Sequence, residues 1–330
     1  MKISIAMATY NGAQYIQEQL QSFIDQTRQP DELIITDDCS TDQTESIVRE
    51  FAKTAPFTVE FHRNEKNLGY CGNFNAALMK TTGDLVFLSD QDDVWFPEKI
   101  EHMIDVAERN PQALVVMNDA ALTDGELNEV GLTKVGQIRS AGFPMKAFVM
   151  GCCCGIRRAL LDFCMPIPRG IEAHDNWIVD FAEALNGKVV EDRVLQYYRR
   201  HETNESQFIV NRTTKVTRWQ AQIHSLLQSV KSLKILFDGN SRHRESDWIA
   251  RQQVRVDGIQ QAISAAPEKY HERICEMLET AENNAKTYKL RVGVREKWIL
   301  PRIFATLGLL FRGGYRDTQG LKAVLRDLMG

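Results

Sequence analysis

This 330-residue sequence predicts an α/β fold, a mostly parallel sheet flanked by helices with a helical C-terminal region after it. Three observations carry that reading. Short apolar runs alternate with amphipathic stretches through the first half, the pattern of a parallel sheet covered on both faces. Polar and acidic residues follow three of those runs directly. From residue 211 onward the text turns helical and basic. A hydrophobic content of 43% with 25% charged residues is ordinary for a globular chain, which excludes disorder and a fibre.

The elements follow in order. Ile3 to Ala8 reads as the first strand, Ala13 to Ile24 has helical spacing of apolar residues, and Glu32 to Thr36 is the second strand, together a βαβ unit. The alternation repeats with Thr44 to Ala52 as helix, Thr58 to His62 as strand, Asn73 to Met79 as helix and Leu85 to Ser89 as strand. Beyond residue 210, Trp219 to Phe237, Trp248 to Ile263, Glu268 to Thr287 and Leu321 to Leu328 carry helical periodicity with few turn signals. Two parts are expected: residues 1–210, with 1–95 and 96–210 as its halves, and residues 211–330.

In parallel sheets ligands bind beyond the carboxyl ends of the strands, so the residues just after each strand are where chemistry is expected. After the first strand comes Thr9-Tyr10-Asn11-Gly12, after the second Asp37-Asp38-Cys39-Ser40-Thr41-Asp42, and after the Leu85 strand Asp90-Gln91-Asp92-Asp93. Each group alone could be a turn or a helix cap. Gathered at one end of one sheet, however, the carboxylates repel one another, and a bound cation relieves that repulsion. Asp90-x-Asp92 supplies hard oxygen ligands suited to Mg2+ or Mn2+, ions that keep open positions for the oxygens of a diphosphate. A calcium loop of the EF-hand kind fails, because Val94 and Trp95 stand where it needs an oxygen ligand and a glycine. A phosphatase of the haloacid dehalogenase type, with Asp90 as nucleophile, also fits Asp90-Gln91-Asp92-Asp93-Val94, but it leaves the two earlier strand-end motifs unexplained.

Charge and cysteine usage narrow the partners. Residues 1–210 hold 19 Lys+Arg against 32 Asp+Glu, and residues 211–330 hold 21 against 12. An acidic first part argues against a nucleic-acid binder, and a basic second part suits anionic lipid or phosphate. Residues 291–330 carry eight Lys+Arg and three Asp+Glu around Trp298, Ile303, Phe304, Leu307, Leu310 and Phe311, a composition that suits an anionic membrane surface, a helix packed on the first part or a homo-oligomer contact. The longest charge-free apolar stretch, Ile303 to Phe311, is about half of the roughly 20 residues that cross a bilayer. The opening Met1-Lys2-Ile3-Ser4-Ile5 runs straight into a strand without the apolar core of a secretory signal, so a cytoplasmic location is expected. Seven cysteines, including Cys152-Cys153-Cys154, lack disulfide or paired zinc-site spacing and read as buried thiols.

Residues 1 to about 205 resemble the family 2 glycosyltransferases of GT-A fold, whose first half is a Rossmann-like nucleotide-binding unit. The matching text is Ile5-Ala6-Met7-Ala8-Thr9-Tyr10-Asn11-Gly12, Asp31-Glu32-Leu33-Ile34-Ile35-Thr36-Asp37-Asp38-Cys39-Ser40-Thr41-Asp42, Asn67-Leu68-Gly69 and Gly83-Asp84-Leu85-Val86-Phe87-Leu88-Ser89-Asp90-Gln91-Asp92-Asp93-Val94-Trp95. The form Ser89-Asp90-Gln91-Asp92-Asp93-Val94-Trp95 is similar to the subgroup containing bacterial rhamnosyltransferases.

The resemblance implies that Thr9, Tyr10 and Asn11 line the nucleotide pocket, that Asp37 or Asp38 accepts from the base, and that Asn67 and Gly69 close over it. Asp90 would hold the ribose or a metal-bound water, Asp92 the metal, and Asp93 would cap the next segment. Glu172-Ala173-His174-Asp175-Asn176-Trp177 is similar to the family's later carboxylate segment, with Asp175 as the base of an inverting transfer, His174 beside it and Trp177 as a wall for a sugar ring. Tyr197-Tyr198-Arg199-Arg200-His201-Glu202-Thr203-Asn204-Glu205-Ser206 resembles the end of the catalytic domain, where Arg199 and His201 approach the diphosphate. The implied activity is metal-dependent transfer of a hexose, rhamnose from dTDP-rhamnose being the specific expectation, from a dTDP- or UDP-sugar to a glycan or lipid-linked acceptor. Such an enzyme would make bacterial surface polysaccharide at the inner face of the membrane. A non-catalytic nucleotide-sugar binding protein stays open as a further reading.

Overall fold

A computed structural model describes residues 1–201, 208–225, 227, 241–295, 299–312, 314–315, 323–324 and 327–328. The chain divides into two compact units, Met1–Ala221 and Gln222–Gly330.

In the first unit the order is β1 (Ile3–Thr9), α1 (Ile16–Ile24), β2 (Glu32–Asp37), α2 (Thr44–Phe51), β3 (Thr58–Arg63), α3 (Gly69–Leu78), β4 (Leu85–Ser89), β5 (Val94–Trp95) and α4 (Lys99–Arg109). There follow β6 (Val115–Thr123), β7 (Glu129–Thr133), α5 (Lys134–Ser140), β8 (Cys154–Arg157), α6 (Arg158–Cys164), α7 (His174–Ala184) and β9 (Lys188–Arg199). One sheet joins them in the order β3-β2-β1-β4-β8-β6-β9-β5, with β7 paired to β6. The first four strands are parallel, and the sheet turns mixed where β8 runs antiparallel to both β4 and β6. Period-two alternation aims Ile3, Ile5, Met7, Leu33, Ile35, Leu85 and Phe87 into one core with Ile16, Leu20 and Phe23 of α1 and Ile100, Met103 and Val106 of α4. The other face of β1, β2 and β4 is also buried, through Ala6, Ile34, Val86 and Leu88. Burial on both faces is why these strands read as continuous apolar runs.

Two helix starts differ from the periodicity. Helix α1 begins at Ile16, three residues later than the spacing suggests, because Gly12 to Tyr15 form a turn closed by the Tyr15 N–H on the Gly12 carbonyl at 3.0 Å. Helix α3 begins at Gly69, four residues earlier, since a carboxylate from β2's end supplies the cap its own sequence lacks.

In the second unit, α8 (Ser241–Ala265) and α9 (His271–Arg295) are joined by a short 3₁₀ turn, and the Trp248 and Tyr288 rings meet at 3.6 Å between centroids. Helix α10 (Ile299–Phe311) follows, and Arg291 of α9 pairs with buried Asp327 at 2.7 Å, which Tyr315 also reaches at 2.8 Å. Residues 218–225 are helical as expected, whereas all but residue 227 of the rest of Trp219–Phe237 and half of Leu321–Leu328 lie outside the described residues, as do residues 202–207. Four cysteines are buried, but Cys275 is exposed and Cys39 and Cys71 are intermediate, which corrects the expectation of uniformly buried thiols.

Candidate active site

Parallel pairing sets Thr9 at the end of β1 opposite Asp37 at the end of β2. The Thr9 hydroxyl donates to Asp37 Oδ1 at 2.9 Å, and the Ser40 N–H donates to Asp37 Oδ2 at 2.9 Å. Both Thr9 and Asp37 are buried, so they lock two strand ends together and do not face a base; the expectation for these two is corrected. Asn11 takes a left-handed φ of 48°, donates its N–H to Ser40 Oγ and accepts the Thr41 N–H, each at 2.8 Å. Tyr10 is 52% exposed, and the Gln91 carboxamide grips its backbone on both sides, accepting at 2.9 Å and donating at 3.0 Å. A Cβ on Gly12 would stand 2.3 Å from Gln91 Oε1, so a larger residue there would displace the carboxamide that holds Tyr10.

Asp38 is also buried. Its carboxylate accepts the Leu68 N–H at 2.8 Å, the Gly69 N–H at 2.9 Å and the Asn64 side chain at 3.0 Å. Asn67 donates to the Asp38 carbonyl at 3.3 Å. Asp38 therefore anchors the Asn67–Gly69 turn in the position from which it borders the strand ends, a duty different from contacting a base. Gly69 sits at φ +73°, a conformation glycine adopts without a Cβ penalty.

At the end of β4 the acids take separate roles. Burial pushes the Asp90 carboxyl up to about 7, and the charges of Asp92 and Asp175 add to the push. Asp93 is fully buried and accepts from Gln196 at 2.9 Å and from the Arg199 N–H at 3.3 Å, so it ties β4's end to β9 and does not cap the next segment as expected. Asp90, Asp93 and Cys152 lie close enough to resemble a cation site. Lys99 already supplies the positive charge there: its buried ammonium donates to the Cys152 carbonyl at 2.8 Å and to Gln196, the residue that in turn holds Asp93. Burial also drives the Cys152 thiol well above its usual range, leaving it a poor ligand.

Asp92 differs, since its Oδ2 stands 2.7 Å from His201 Nε2, with the two side chains 14% and 16% exposed. The His201 ring stacks on Tyr15 at 5.0 Å. Arg199 is buried, donates to the Asp92 carbonyl at 2.8 Å and the Gly125 carbonyl at 2.7 Å, and pairs with Glu18. It braces the loop carrying Asp92, which corrects the expectation that it faces the diphosphate.

The fourth contribution comes from α7. Asp175 lies in the helix's first turn, where an anion is favoured, and accepts the Gly151 N–H on Oδ2 at 3.2 Å. His174 is buried beside it, stacked on Phe74 at 4.0 Å, with both ring nitrogens lacking hydrogen-bond partners among the described residues; burial lowers its pKa and so favours the neutral ring. A Cβ on Gly151 would approach His174 Nε2 to 2.9 Å, so the glycines around the cysteine run serve close packing. Trp177 is buried, with its Nε1 donating to the Cys164 carbonyl at 2.8 Å; it is a core residue, not a sugar-facing wall, and that expectation is corrected. Of the expected residues, Tyr10 and Asn11 follow β1, Asn67 and Gly69 lie on the turn held by Asp38, Asp90 and Asp92 follow β4 with His201 on Asp92, and Asp175 lies in the first turn of α7. Sequence reasoning passed over Gln91, Lys99 and Gln196; of these only Gln91, inside the Asp90–Asp93 run, stood where a signal could have found it.

The model for the family described as glycosyl transferase family 2 matches residues 4–163. The dTDP-rhamnosyl transferase RfbG of Shigella flexneri is 31% identical over 212 residues, covering 60% of this chain and 73% of that protein. An uncharacterized glycosyltransferase of Nostoc sp., alr2836, is 33% identical over 127 residues, and the match spans 38% of this chain and 38% of that relative's length. Among solved structures, S. aureus TarS 1-349 in complex with UDP aligns at a TM-score of 0.56 and 18% identity, covering 99% of this chain and 89% of the other, a likeness of fold.

Proposed function

The chain belongs to glycosyl transferase family 2 and has the GT-A fold, and from that premise we propose that it is an inverting, metal-dependent hexosyltransferase using a dTDP- or UDP-sugar. Family membership removes the phosphatase reading of Asp90. The observation that carries the proposal is the meeting of Asp92 and His201 at 2.7 Å beside Asp90, with Asp175 near enough for its charge to raise the Asp90 carboxyl. A carboxylate and an imidazole nitrogen, both partly open, suit Mn2+ and, with waters added, Mg2+. A divalent ion held by Asp92 and His201 would neutralise the charge that develops on a departing diphosphate.

The chain's own residues do the rest. Tyr10, Asn11 and the Asn67–Gly69 turn border the space for the nucleoside, and Asp90 lies where a ribose hydroxyl or bound water can be held. Asp175, oriented by the Gly151 N–H and by the start of α7, takes the proton from the acceptor hydroxyl as the new bond forms. Attack from the face opposite the leaving group inverts the anomeric centre. The named activity of the Shigella relative, a dTDP-rhamnosyl transferase, supports rhamnose as the sugar. The acceptor in this reading is a glycan, free or lipid-linked, of the bacterial surface. The basic C-terminal region is suited to hold the enzyme at the anionic inner face of the membrane.

Replacing Asp175 with Asn tests this reading. Transfer is expected to fall by about 10² to 10⁴ with donor affinity within twofold of the parent protein, measured by product formation and by UDP and dTDP thermal shifts. Undiminished transfer by the variant removes Asp175 as base, and donor that is bound but never consumed by the parent protein in the presence of acceptor glycans favours a non-catalytic binding protein.

A further inference from the structure

A cavity of about 410 Å³ opens between α3, with the residues just before it, and the segment Ile167–Ile171 that leads towards α7. Its volume falls within the roughly 300–1,000 Å³ of small-molecule sites. Leu68, Cys71, Ala76, Ile167, Pro168 and Ile171 give it an apolar lining. The two asparagines in the wall are already engaged. Asn67 bonds Asp38 and Gly69, and Asn75 accepts the Ile167 N–H at 2.8 Å, which ties the segment to the helix.

Two cations, Lys66 and Arg169, complete the lining. Both are exposed, and among the described residues neither side chain has a hydrogen bond or an ion pair. The cavity adjoins the reacting centre, because α3, whose Cys71 lines it, stacks Phe74 at 4.0 Å and sets Tyr70 at 6.0 Å against His174, the neighbour of Asp175.

A bare glycan would find few partners in such a wall, since its hydroxyls need hydrogen-bonding groups and those present are taken. Apolar surface beside an unpaired ammonium and guanidinium calls for a ligand that is hydrocarbon in one part and anionic in another. A guanidinium with an ammonium nearby suits phosphate oxygens in particular.

We propose that this cavity is the acceptor subsite and that it takes a phosphate-bearing amphiphile, the apolar lining holding hydrocarbon and Lys66 and Arg169 holding the phosphate. The inference rests on the transfer reading above and specifies the acceptor that reading leaves general.

Isothermal titration of the full chain with octyl phosphate, octyl glucoside and inorganic phosphate, each below its micellar concentration where it has one, separates head from tail. Octyl phosphate is expected to bind at least tenfold more tightly than either of the others. The double variant Lys66→Glu/Arg169→Glu, altered only at exposed positions, should lose that preference while keeping its UDP or dTDP thermal shift. Cys71→Trp, which fills the cavity, should lose octyl phosphate binding as well. Equal affinity for octyl phosphate and octyl glucoside, equal affinity for octyl phosphate and inorganic phosphate, or a preference that survives the double charge reversal would each overturn the proposal. If neither nucleotide shifts the parent protein, the transfer reading itself fails and the acceptor assignment falls with it, whatever octyl phosphate does.

Discussion

Lys99 shows how one buried side chain can hold an acidic strand end together. Its ammonium is fully buried at the start of α4, lies 3.9 Å from the centre of the Trp95 ring, and reaches the Cys152 carbonyl and the Gln196 amide that binds Asp93. Burial pulls its pKa down, while the charges around it, Asp93 among them, pull it back. Removing one member of a buried charge cluster costs on the order of 3–5 kcal/mol because the remaining charge is left uncompensated. Lys99→Met should therefore lower the melting temperature by several degrees, and a calorimetric midpoint equal to the parent's would show that the cluster needs no internal cation. The positions of Asp90, Asp92 and Asp175, after β4 and in the first turn of α7, were legible in the sequence because each stands in recognisable text at a strand end or a helix start. Lys99 was not, since its partners Cys152 and Gln196 are 53 and 97 positions away and nothing local marks it.

Among the elements, α3 owes its start to a residue outside itself. Helix periodicity placed its beginning at Asn73, yet the Asp38 carboxylate accepts the N–H groups of Leu68 and Gly69 and carries the helix back to Gly69. Asp38→Ala frees those donors and is expected to raise amide exchange across residues 67–70 with a stability loss of about 2–3 kcal/mol; exchange protection equal to the parent's would count against the cap. The parallel half of the sheet was readable because each strand is followed by its own crossover helix. Its mixed half was not, because β8 is a four-residue strand between β4 and β6 whose partners come from distant text. At the other end of β2, burial would raise the Glu32 carboxyl, but bonds from Ser4, Thr82 and Lys2 outweigh it and bring the pKa from 4.5 to about 2. A depressed folded-state value stabilises fully above pH 4.5 and is lost as pH falls towards 2. Glu32→Gln should accordingly cost about 1–2 kcal/mol at pH 7, allowing for partial screening, and much less near pH 2, read from urea midpoints at the two pH values.

At the scale of the whole molecule, charge is divided along the chain: residues 1–210 carry an excess of acid and residues 211–330 an excess of base. No helix among the described residues is long and apolar enough to cross a membrane. Helix α10 nevertheless leaves Phe304 73% exposed, with Leu307 and Leu310 also open to solvent at helical spacing. Burying such side chains favours association by roughly 1.5–3 kcal/mol each at full burial, and basic residues near an anionic surface add about 1 kcal/mol apiece. Neither contribution alone gives firm attachment, but the two together suit a helix lying in the headgroup region. The full chain should thus sediment with phosphatidylglycerol vesicles far more than with phosphatidylcholine vesicles. Raising the salt to 0.5 M should weaken binding, because the Debye length shortens from about 10 Å at 0.1 M towards 3 Å at 1 M. Phe304→Ser/Leu307→Ser/Leu310→Ser should reduce it about tenfold or more while leaving nucleotide binding intact. Self-association that strengthens with concentration and is lost in the same triple variant, with no vesicle binding by the parent, would mean that a second copy of the chain covers this face instead.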